Sequence, residues 1–188
     1  IASTLMTRLA ESGIDKKTVT AFALTFLLYN FKFLWAPFID RIRIPGLAAA
    51  VGQRRAWLYV IAACTIAAII WMGRVDPVAD IRLMVIAALT VAFFGATFDI
   101  IIDAFRIDSL KPEQLGAGSG MSQYGWRLGS NGAGAIALFV ANRAGWDIAY
   151  LAAAFFAVPA VIAGFLLGEP VRRTAVLAKE GPEPFLKR

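Results

Sequence analysis

The feature that most constrains this chain is a series of apolar blocks separated by short polar links. Counting the opening segment as the first block, the second to sixth blocks occupy residues 18–39, 56–72, 82–104, 117–142 and 146–167. Roughly 20 apolar residues form a helix long enough to cross the hydrocarbon core of a bilayer. The sequence therefore predicts an all-α membrane protein, a polytopic transmembrane helix bundle with five full spans. The opening segment predicts the end of a sixth span, cut in its middle, so we expect a fragment of a longer protein.

Composition supports a membrane protein and limits its chemistry. The chain is 59% hydrophobic and its mean hydropathy is +0.67, whereas soluble domains are about 45–50% apolar. Cys64 is the only cysteine and histidine is absent, which excludes a disulfide framework and removes the commonest metal ligand and proton shuttle. We therefore expect no metal, no cofactor and no catalytic residues, and we expect any proton chemistry to fall to carboxylates.

The net charge of +6 does not indicate a nucleic-acid partner, because the basic residues cluster in short loops between apolar blocks. Such clustering is the pattern of membrane topology signals, and the more basic side is expected to be cytoplasmic. Eleven of the nineteen basic residues fall on one side if residues 169–188 form a cytoplasmic tail or inter-domain linker. That side holds Arg41, Arg43, Arg54, Arg55, Arg106, Lys111, Arg172, Arg173, Lys179, Lys187 and Arg188.

Two carboxylates, Asp99 and Asp103, lie four residues apart near the end of the block 82–104. Helical spacing places them on one face, and an ionisable group at membrane depth costs at least about 2.5 kcal/mol, so it is rarely without a role. Lys32 and Arg127 lie at similar depths in their own blocks, which predicts charge pairing. Two interpretations stay open: a static ion pair, or a protonatable, solute-binding site in which Asp99, with Asp103, couples to protons. Asp103 also fits a solvated helix end.

The fifth block carries a polar stripe made of Gln123, Tyr124, Arg127 and Asn131, which share one helical face. The Arg127 guanidinium presents a planar fork of donors suited to a carboxylate or phosphate. The stripe therefore predicts a substrate-binding surface, with interhelical hydrogen bonding as the alternative.

The same block is rich in glycine. Gly116 with Gly120, and Gly125 with Gly129, form small-xxx-small pairs that allow close helix approach in membranes. We expect these pairs to mark tight helix packing or a surface on which helices move.

The loop between the second and third blocks carries charges at both ends. Asp40 and Arg41 close one block, and Arg54 and Arg55 open the next. An acid at one helix end and a basic pair at the next predict a gating clasp that stabilises one conformation. Topology signals alone are the alternative.

Taken together, these stretches resemble the N-terminal half of a major facilitator superfamily transporter, and more narrowly the AmpG-type muropeptide permeases. Asn30-Phe-Lys-Phe-Leu-Trp-Ala-Pro-Phe-Ile-Asp-Arg41 is similar to their second-helix signature, and Phe98-Asp-Ile-Ile-Ile-Asp-Ala-Phe-Arg-Ile107 to the fourth. Gly52-Gln-Arg-Arg-Ala-Trp57 resembles the end of the superfamily loop motif, although the preceding loop is long and apolar. Gly116-Ala-Gly and Gly125-Trp-Arg-Leu-Gly129 resemble the fifth-helix signature.

The resemblance implies a transporter of twelve or more helices in two halves, with residues 1–168 as a partial first bundle whose first helix is truncated. It implies alternating access and import of anhydro-muropeptides across the bacterial inner membrane. The partners it implies are protons, the lipid bilayer and a C-terminal half of the same transporter. A related carrier of another substrate, such as an acyl-coenzyme A, shares these signatures and stays open.

A rival interpretation is a membrane enzyme. Gly95-x3-Asp99-x3-Asp103 equals the tail of the metal-binding motif of CDP-alcohol phosphotransferases, but the upstream acids and arginine of that motif are absent from residues 83–87. We therefore expect no enzyme. A third interpretation, a membrane scaffold or sensor that transports nothing, predicts the same charges without solute flux.

Overall fold

The computed structural model describes residues 2–170, apart from the side chains of Ala2 and Phe26, and within this range it is helical without a strand. The α-helices are α1 Ala2–Glu11, α2 Lys16–Phe22, α3 Leu27–Asn30, α4 Ala36–Arg41, α5 Leu47–Val51, α6 Gln53–Arg74, α7 Ile81–Ser109, α8 Leu115–Ala144, α9 Trp146–Ala154 and α10 Val158–Leu167. The predicted tail, including its five basic residues from Arg172 to Arg188, lies outside the described residues except for Glu169 and Pro170.

Three helical stretches in the described range are long and apolar enough to cross a membrane. They are Gln53–Arg74, Ile81–Ser109 and Trp146–Leu167, the last being α9 and α10 joined by a 3-10 turn. The prediction of a polytopic helical membrane protein is thus confirmed. The prediction of five full spans is not confirmed, because the second block is broken and the fifth, although a continuous helix, is not among the three stretches that are apolar enough.

The second block, predicted as one span over residues 18–39, is broken into short helices. Between α2 and α4 the chain forms two 3-10 turns, Ala23–Phe26 and Lys32–Leu34, with α3 between them. Pro37 lies in the first turn of α4, where its missing N–H and its ring prevent the helix from continuing back to the preceding turn. The break therefore has a backbone cause that hydropathy does not register.

The fifth block is a continuous helix of 30 residues, but its glycines do not pack as predicted. Side chains added at Gly116, Gly120, Gly125 or Gly129 would meet no atom within 4 Å. Among the described residues, no other helix therefore packs against these glycine pairs, and the alternative, a surface on which helices move, stays a prediction. Much of α8 is exposed, with Leu128 at 75% and Met121 at 73% of their maximum surface.

The bundle is built around α6, which packs against α7 on one side and against α9 and α10 on the other, while α8 packs against α9. One core cluster joins the C-terminal end of α6 to the N-terminal ends of α7 and α9, with Met72, Met84 and Tyr150 fully buried. A second cluster, around Ile61 and Ile101, lies toward the opposite end. We call the end that holds Asp40, Arg54 and Asp108 the inner end, and the end that holds Arg8 and Asp147 the outer end.

Large apolar side chains of α10 point away from this core. Phe165, Leu166 and Leu167 are 69–76% exposed. An apolar surface this extensive is covered by lipid or by another protein surface when the protein is in a membrane. It fits the expected contact with the lipid bilayer.

Candidate functional site

Asp99 lies on α7 beside the broken second block, residues 18–39, which we call the second segment. α3 and the 3-10 turn Lys32–Leu34 both pack against α7, which brings Lys32 within electrostatic range of Asp99. Among the described residues, no hydrogen bond and no ion pair shorter than 4.0 Å ends on the Asp99 carboxylate. In this part of the chain, Lys32 and Asp99 therefore interact through space and not through a direct bond, and we call Lys32, Asp99 and Asp103 the mid-helix cluster.

Asp103 has a partner of its own. Its Oδ1 lies 3.0 Å from Nη2 of Arg106, one turn further along α7, and its side chain is 46% exposed. The helical face that carries Asp99 and Asp103 therefore holds one carboxylate bonded to Arg106 and one separate carboxylate. The structure distinguishes the two predicted proton-coupling residues, and Asp99 is the one without a bonded cation.

Tyr29 belongs to the same region, although nothing in the sequence analysis singled it out. It lies on α3 with its hydroxyl against Gly95 of α7, and it interacts electrostatically with Asp99. The sequence offered one signal for Tyr29, its position three residues before the intramembrane Lys32. Its contact with Gly95 depends on the break in the second segment and could not be predicted.

Trp35, directly before α4, joins the C-terminal side of the break to α7 by a hydrogen bond and a ring contact. Its indole Nε1 donates to Thr97 Oγ1 at 3.0 Å, and Thr97 Oγ1 donates to the Phe93 carbonyl at 2.8 Å. The Trp35 and Phe93 rings lie 5.3 Å apart between centroids. Because Thr97 is buried and lies two residues from Asp99, this contact fixes the segment that carries Lys32 relative to the carboxylate.

At the inner end, Arg54 bridges two acids from two other helices. Its Nε lies 2.8 Å from Asp108 Oδ2 at the end of α7, and its Nη1 contacts Asp40 Oδ1 at the end of α4. The Arg54 and Asp108 side chains are only 13% and 7% exposed. The predicted link between Asp40 and Arg54 is present, and Asp108 of α7 is a further member whose bond to Arg54 the sequence did not predict. We call these three residues the inner clasp.

Glu169 adds a fourth group to this end. Its carboxylate accepts hydrogen bonds from the backbone N–H groups of Arg54 and Arg55, at 2.9 and 3.0 Å. It packs over Gly52, whose φ of +95° and lack of a side chain leave room for it. The chain beyond α10 thereby caps the N-terminus of α6, where a carboxylate is favoured by the helix dipole.

The other two residues of the predicted gating loop behave differently. Arg55 Nε donates to Tyr59 Oη at 3.1 Å, and its guanidinium lies 5.8 Å from the centre of the Phe165 ring. Arg41 is exposed at the end of α4. Arg54 is therefore the basic residue that joins the helices in this loop.

The polar stripe of α8 forms a separate surface. Gln123, Tyr124 and Arg127 line a cleft of about 270 Å³, and Asn131 is exposed one turn further along. Among the described residues, Lys32 rather than Arg127 is the cation that acts on Asp99. Of the two partners predicted for Asp99, the structure brings only Lys32 near it.

At the outer end, buried Arg8 of α1 contacts backbone and an aromatic ring. It donates to the carbonyls of Met72 and Val75 at 2.9 and 2.7 Å, and its guanidinium lies 5.4 Å from the centre of the Tyr150 ring. The negative end of the α6 dipole favours a cation there. An open cleft of about 410 Å³ adjoins Arg8, with Arg74, Asp76 and Asp147 on its walls.

Among residues 2–170, no group of three or more cysteine, aspartate or glutamate side chains converges as a metal site. Asp99 and Asp103 therefore belong to no such group in this part of the chain, although their spacing from Gly95 equals the tail of a metal-binding motif.

Comparison with known proteins supplies the family. The family model of the Major Facilitator Superfamily matches residues 1–188. The Anhydromuropeptide permease of Escherichia coli (strain K12) is 37% identical over 170 residues, which is 90% of this chain and 34% of the permease. The AmpG 4 protein of Rickettsia felis is 34% identical over 164 residues, 86% of this chain and 39% of that protein.

The chain thus spans about a third of the length of these curated relatives. No solved structure matches it. The family is one of transporters and not of enzymes, which removes the phosphotransferase interpretation. From the family match over its whole length and from its helical bundle, the chain belongs to the major facilitator superfamily and is part of a multi-pass membrane protein.

Proposed function

We propose that this chain is part of a proton-coupled importer of anhydro-muropeptides in the bacterial inner membrane. The single observation that carries the proposal is the Asp99 carboxylate on a membrane-spanning helix, facing Lys32 without a direct bond. A carboxylate held this way can take up and release a proton without first breaking a strong ion pair. The muropeptide part rests on the similarity to a protein named as an anhydromuropeptide permease.

Coupling would operate through the charge of Asp99. When Asp99 is ionised, its attraction to Lys32 stabilises the arrangement in which the second segment lies against α7. Protonation neutralises Asp99, weakens that attraction and frees Lys32 to bind an anionic group of the solute. Charged groups inside a membrane commonly serve such relays because they are too costly to keep without a role.

Alternating access would use the inner clasp and the exposed faces of the chain. Arg54, Asp40 and Asp108 hold the inner ends of three helices together, so this bundle would move as one body. The open glycines of α8 and the cleft at Arg127 would face a C-terminal half of the same transporter. There, Gln123, Tyr124, Arg127 and Asn131 would bind the solute.

The test is uptake of labelled anhydro-muropeptide by proteoliposomes that contain the complete transporter. An inward proton gradient should drive accumulation above the outside concentration, and a proton ionophore should reduce uptake to equilibration. Accumulation that persists in the presence of the ionophore would rule out proton coupling. A labelled acyl-coenzyme A that is accumulated in place of the muropeptide would overturn the substrate assignment and leave the coupling standing. Absence of flux for either solute would favour the scaffold interpretation.

A further inference from the structure

The spacing Gly95-x3-Asp99 has a structural explanation that the transport proposal does not use. A Cβ placed on Gly95 would lie 2.6 Å from the Tyr29 hydroxyl oxygen and 3.5 Å from Tyr29 Cζ. The first distance is too short for any side chain, whereas the second is ordinary contact. Gly95 lies in the middle of α7, so a side chain there would displace the Tyr29 hydroxyl rather than strain the backbone. It forms a notch that admits one hydroxyl group.

The notch lies next to the Asp99 carboxylate. Residues four apart share a helical face, and side chains on a helix lean toward its N-terminus. The Asp99 carboxylate therefore extends over the turn that starts at Gly95, toward the hydroxyl that the notch holds. The electrostatic interaction between Tyr29 and Asp99 agrees with this placement.

We propose that Tyr29 is a positioning residue for Asp99, and that Gly95 is the notch that makes this possible. The phenol hydroxyl reaches the carboxylate through a bridging water once Asp99 has lost its proton. A donor that stabilises the charged form makes proton release easier. This inference rests on the proposed function, since it assigns the group that sets the pH range over which Asp99 exchanges protons.

Other titratable groups act on the same carboxylate and define the controls. Lys32 acts from the second segment and Asp103 from α7 itself. The neighbouring helix α6 carries Cys64 and Tyr59, and, at its inner end, Arg54 and Arg55, which are bonded to Asp108 and to Tyr59. Among these groups, Tyr29 is the neutral hydrogen-bond donor that acts on Asp99 across the contact between α3 and α7.

The experiment compares three variants of the complete transporter in proteoliposomes: Tyr29→Phe, Gly95→Ala and the double variant. Proton-driven uptake is measured against outside pH. In wild type, uptake falls as pH rises through the titration of Asp99. Loss of the hydroxyl should move that midpoint to higher pH by about one unit, because the ionised carboxylate has lost a donor.

Gly95→Ala should move the midpoint in the same direction, because its methyl group displaces the hydroxyl. The double variant should match Tyr29→Phe alone, since without the hydroxyl the new methyl has ordinary contact distance to the ring. Thr90→Val, which removes a hydroxyl of α7 that bonds the Ile86 carbonyl of the same helix, is the control and should leave the midpoint unchanged. Solute exchange without a gradient shows which variants are folded.

An unchanged midpoint in a folded Tyr29→Phe variant would overturn the inference, and so would additive shifts in the double variant. Tyr29→Phe removes a single oxygen atom, so it decides the matter even if Gly95→Ala does not fold. Failure of the transport proposal looks different: Asp99→Asn would then keep gradient-driven accumulation, whatever Tyr29 does.

Discussion

The inner clasp and the mid-helix cluster contain the same charges in opposite arrangements. Each has one cation and two carboxylates. In the inner clasp, Arg54 contacts both acids directly and is nearly buried with Asp108. In the mid-helix cluster, Lys32 and Asp99 interact through space, and Asp103 is bonded elsewhere. The difference indicates which charges hold helices together and which are available to a proton or a solute.

The arrangement follows from the cations and their backbones. Arginine offers a planar fork that bonds two carboxylates at once, whereas lysine offers a compact, mobile charge. Arg54 is on a continuous helix, and Lys32 is on a 3-10 turn next to a proline-limited helix start. A rigid fork suits a permanent junction, and a single mobile charge suits a site that changes its partner.

The largest effect on stability should come from breaking the inner clasp. Arg54→Met leaves the 7% exposed Asp108 without this cation, and loss of one member of a buried ion pair costs about 3 kcal/mol or more. Thermal unfolding of the detergent-solubilised transporter measures the effect.

Arg41→Met is the matched control for the clasp, because Arg41 is a basic residue of the same loop but is exposed. Its unfolding temperature should stay close to that of wild type. Equal losses in both variants would show that the clasp does not stabilise the bundle.

A loss of the same order should follow from Arg8→Met at the outer end. Arg8 donates two hydrogen bonds to the carbonyls of Met72 and Val75, and a hydrogen bond from a charged group contributes about 2 kcal/mol. Arg74→Met, on an exposed side chain of the same helix end, is the control for the loss of one positive charge. Equal melting temperatures for Arg8→Met and Arg74→Met would show that Arg8 does not anchor α1.

Removing the Trp35 donor tests what holds the mid-helix cluster in place. Trp35→Phe keeps an aromatic ring against Phe93 but removes the N–H bonded to Thr97, a loss of about 1 kcal/mol in stability. Because the segment that carries Lys32 is then less fixed, we also expect a higher KM for the solute. Thr97→Val should produce a similar KM, and the double variant should add little if the two side chains act as a pair.

The smallest effect should come from Asp15, an exposed carboxylate in the link before α2. It accepts hydrogen bonds from the Thr18 side chain and backbone N–H, and these bonds lower its pKa below 3.8. A lowered pKa in the folded state stabilises the protein above pH 3.8, and this contribution is lost as the pH falls through the folded-state pKa.

Asp15→Ala should therefore lower the melting temperature at neutral pH, and the difference from wild type should shrink at low pH. Asp15→Asn keeps an N-cap acceptor and is the matched control. A difference that grows on acidification would contradict the sign of this prediction.

Hydropathy predicted most of the helices because it registers composition. The block at residues 56–72 became α6, that at 82–104 became α7, and that at 117–142 became α8, each extended by a few residues. The second block is not a single span because Pro37 interrupts the backbone hydrogen bonds of the helix. Hydropathy does not register this break, because the residues around Pro37 are apolar. The glycine pairs of α8 contact no described helix because a small-xxx-small pattern indicates where helices can approach, not whether a partner helix is present.

The site was predictable only where partners are near each other in sequence or carry opposite charges. Asp40 and Arg54 could be matched across one loop. Glu169 lies 115 residues from Arg54, so no local pattern connects them, although an acid directly after the last apolar block was a usable signal. Tyr29 meets Gly95 because the second segment is broken, and that contact required the structure.

The most direct test of the account is gradient-driven uptake by Asp99→Asn, compared with solute exchange in the same proteoliposomes. Removing the titratable group while keeping its size should abolish accumulation under a proton gradient and leave exchange between labelled and unlabelled solute in place. Asp103→Asn, one turn away and bonded to Arg106, should still accumulate solute. Wild-type accumulation by Asp99→Asn, with the gradient shown to be intact, would contradict the central claim that Asp99 carries the coupled proton.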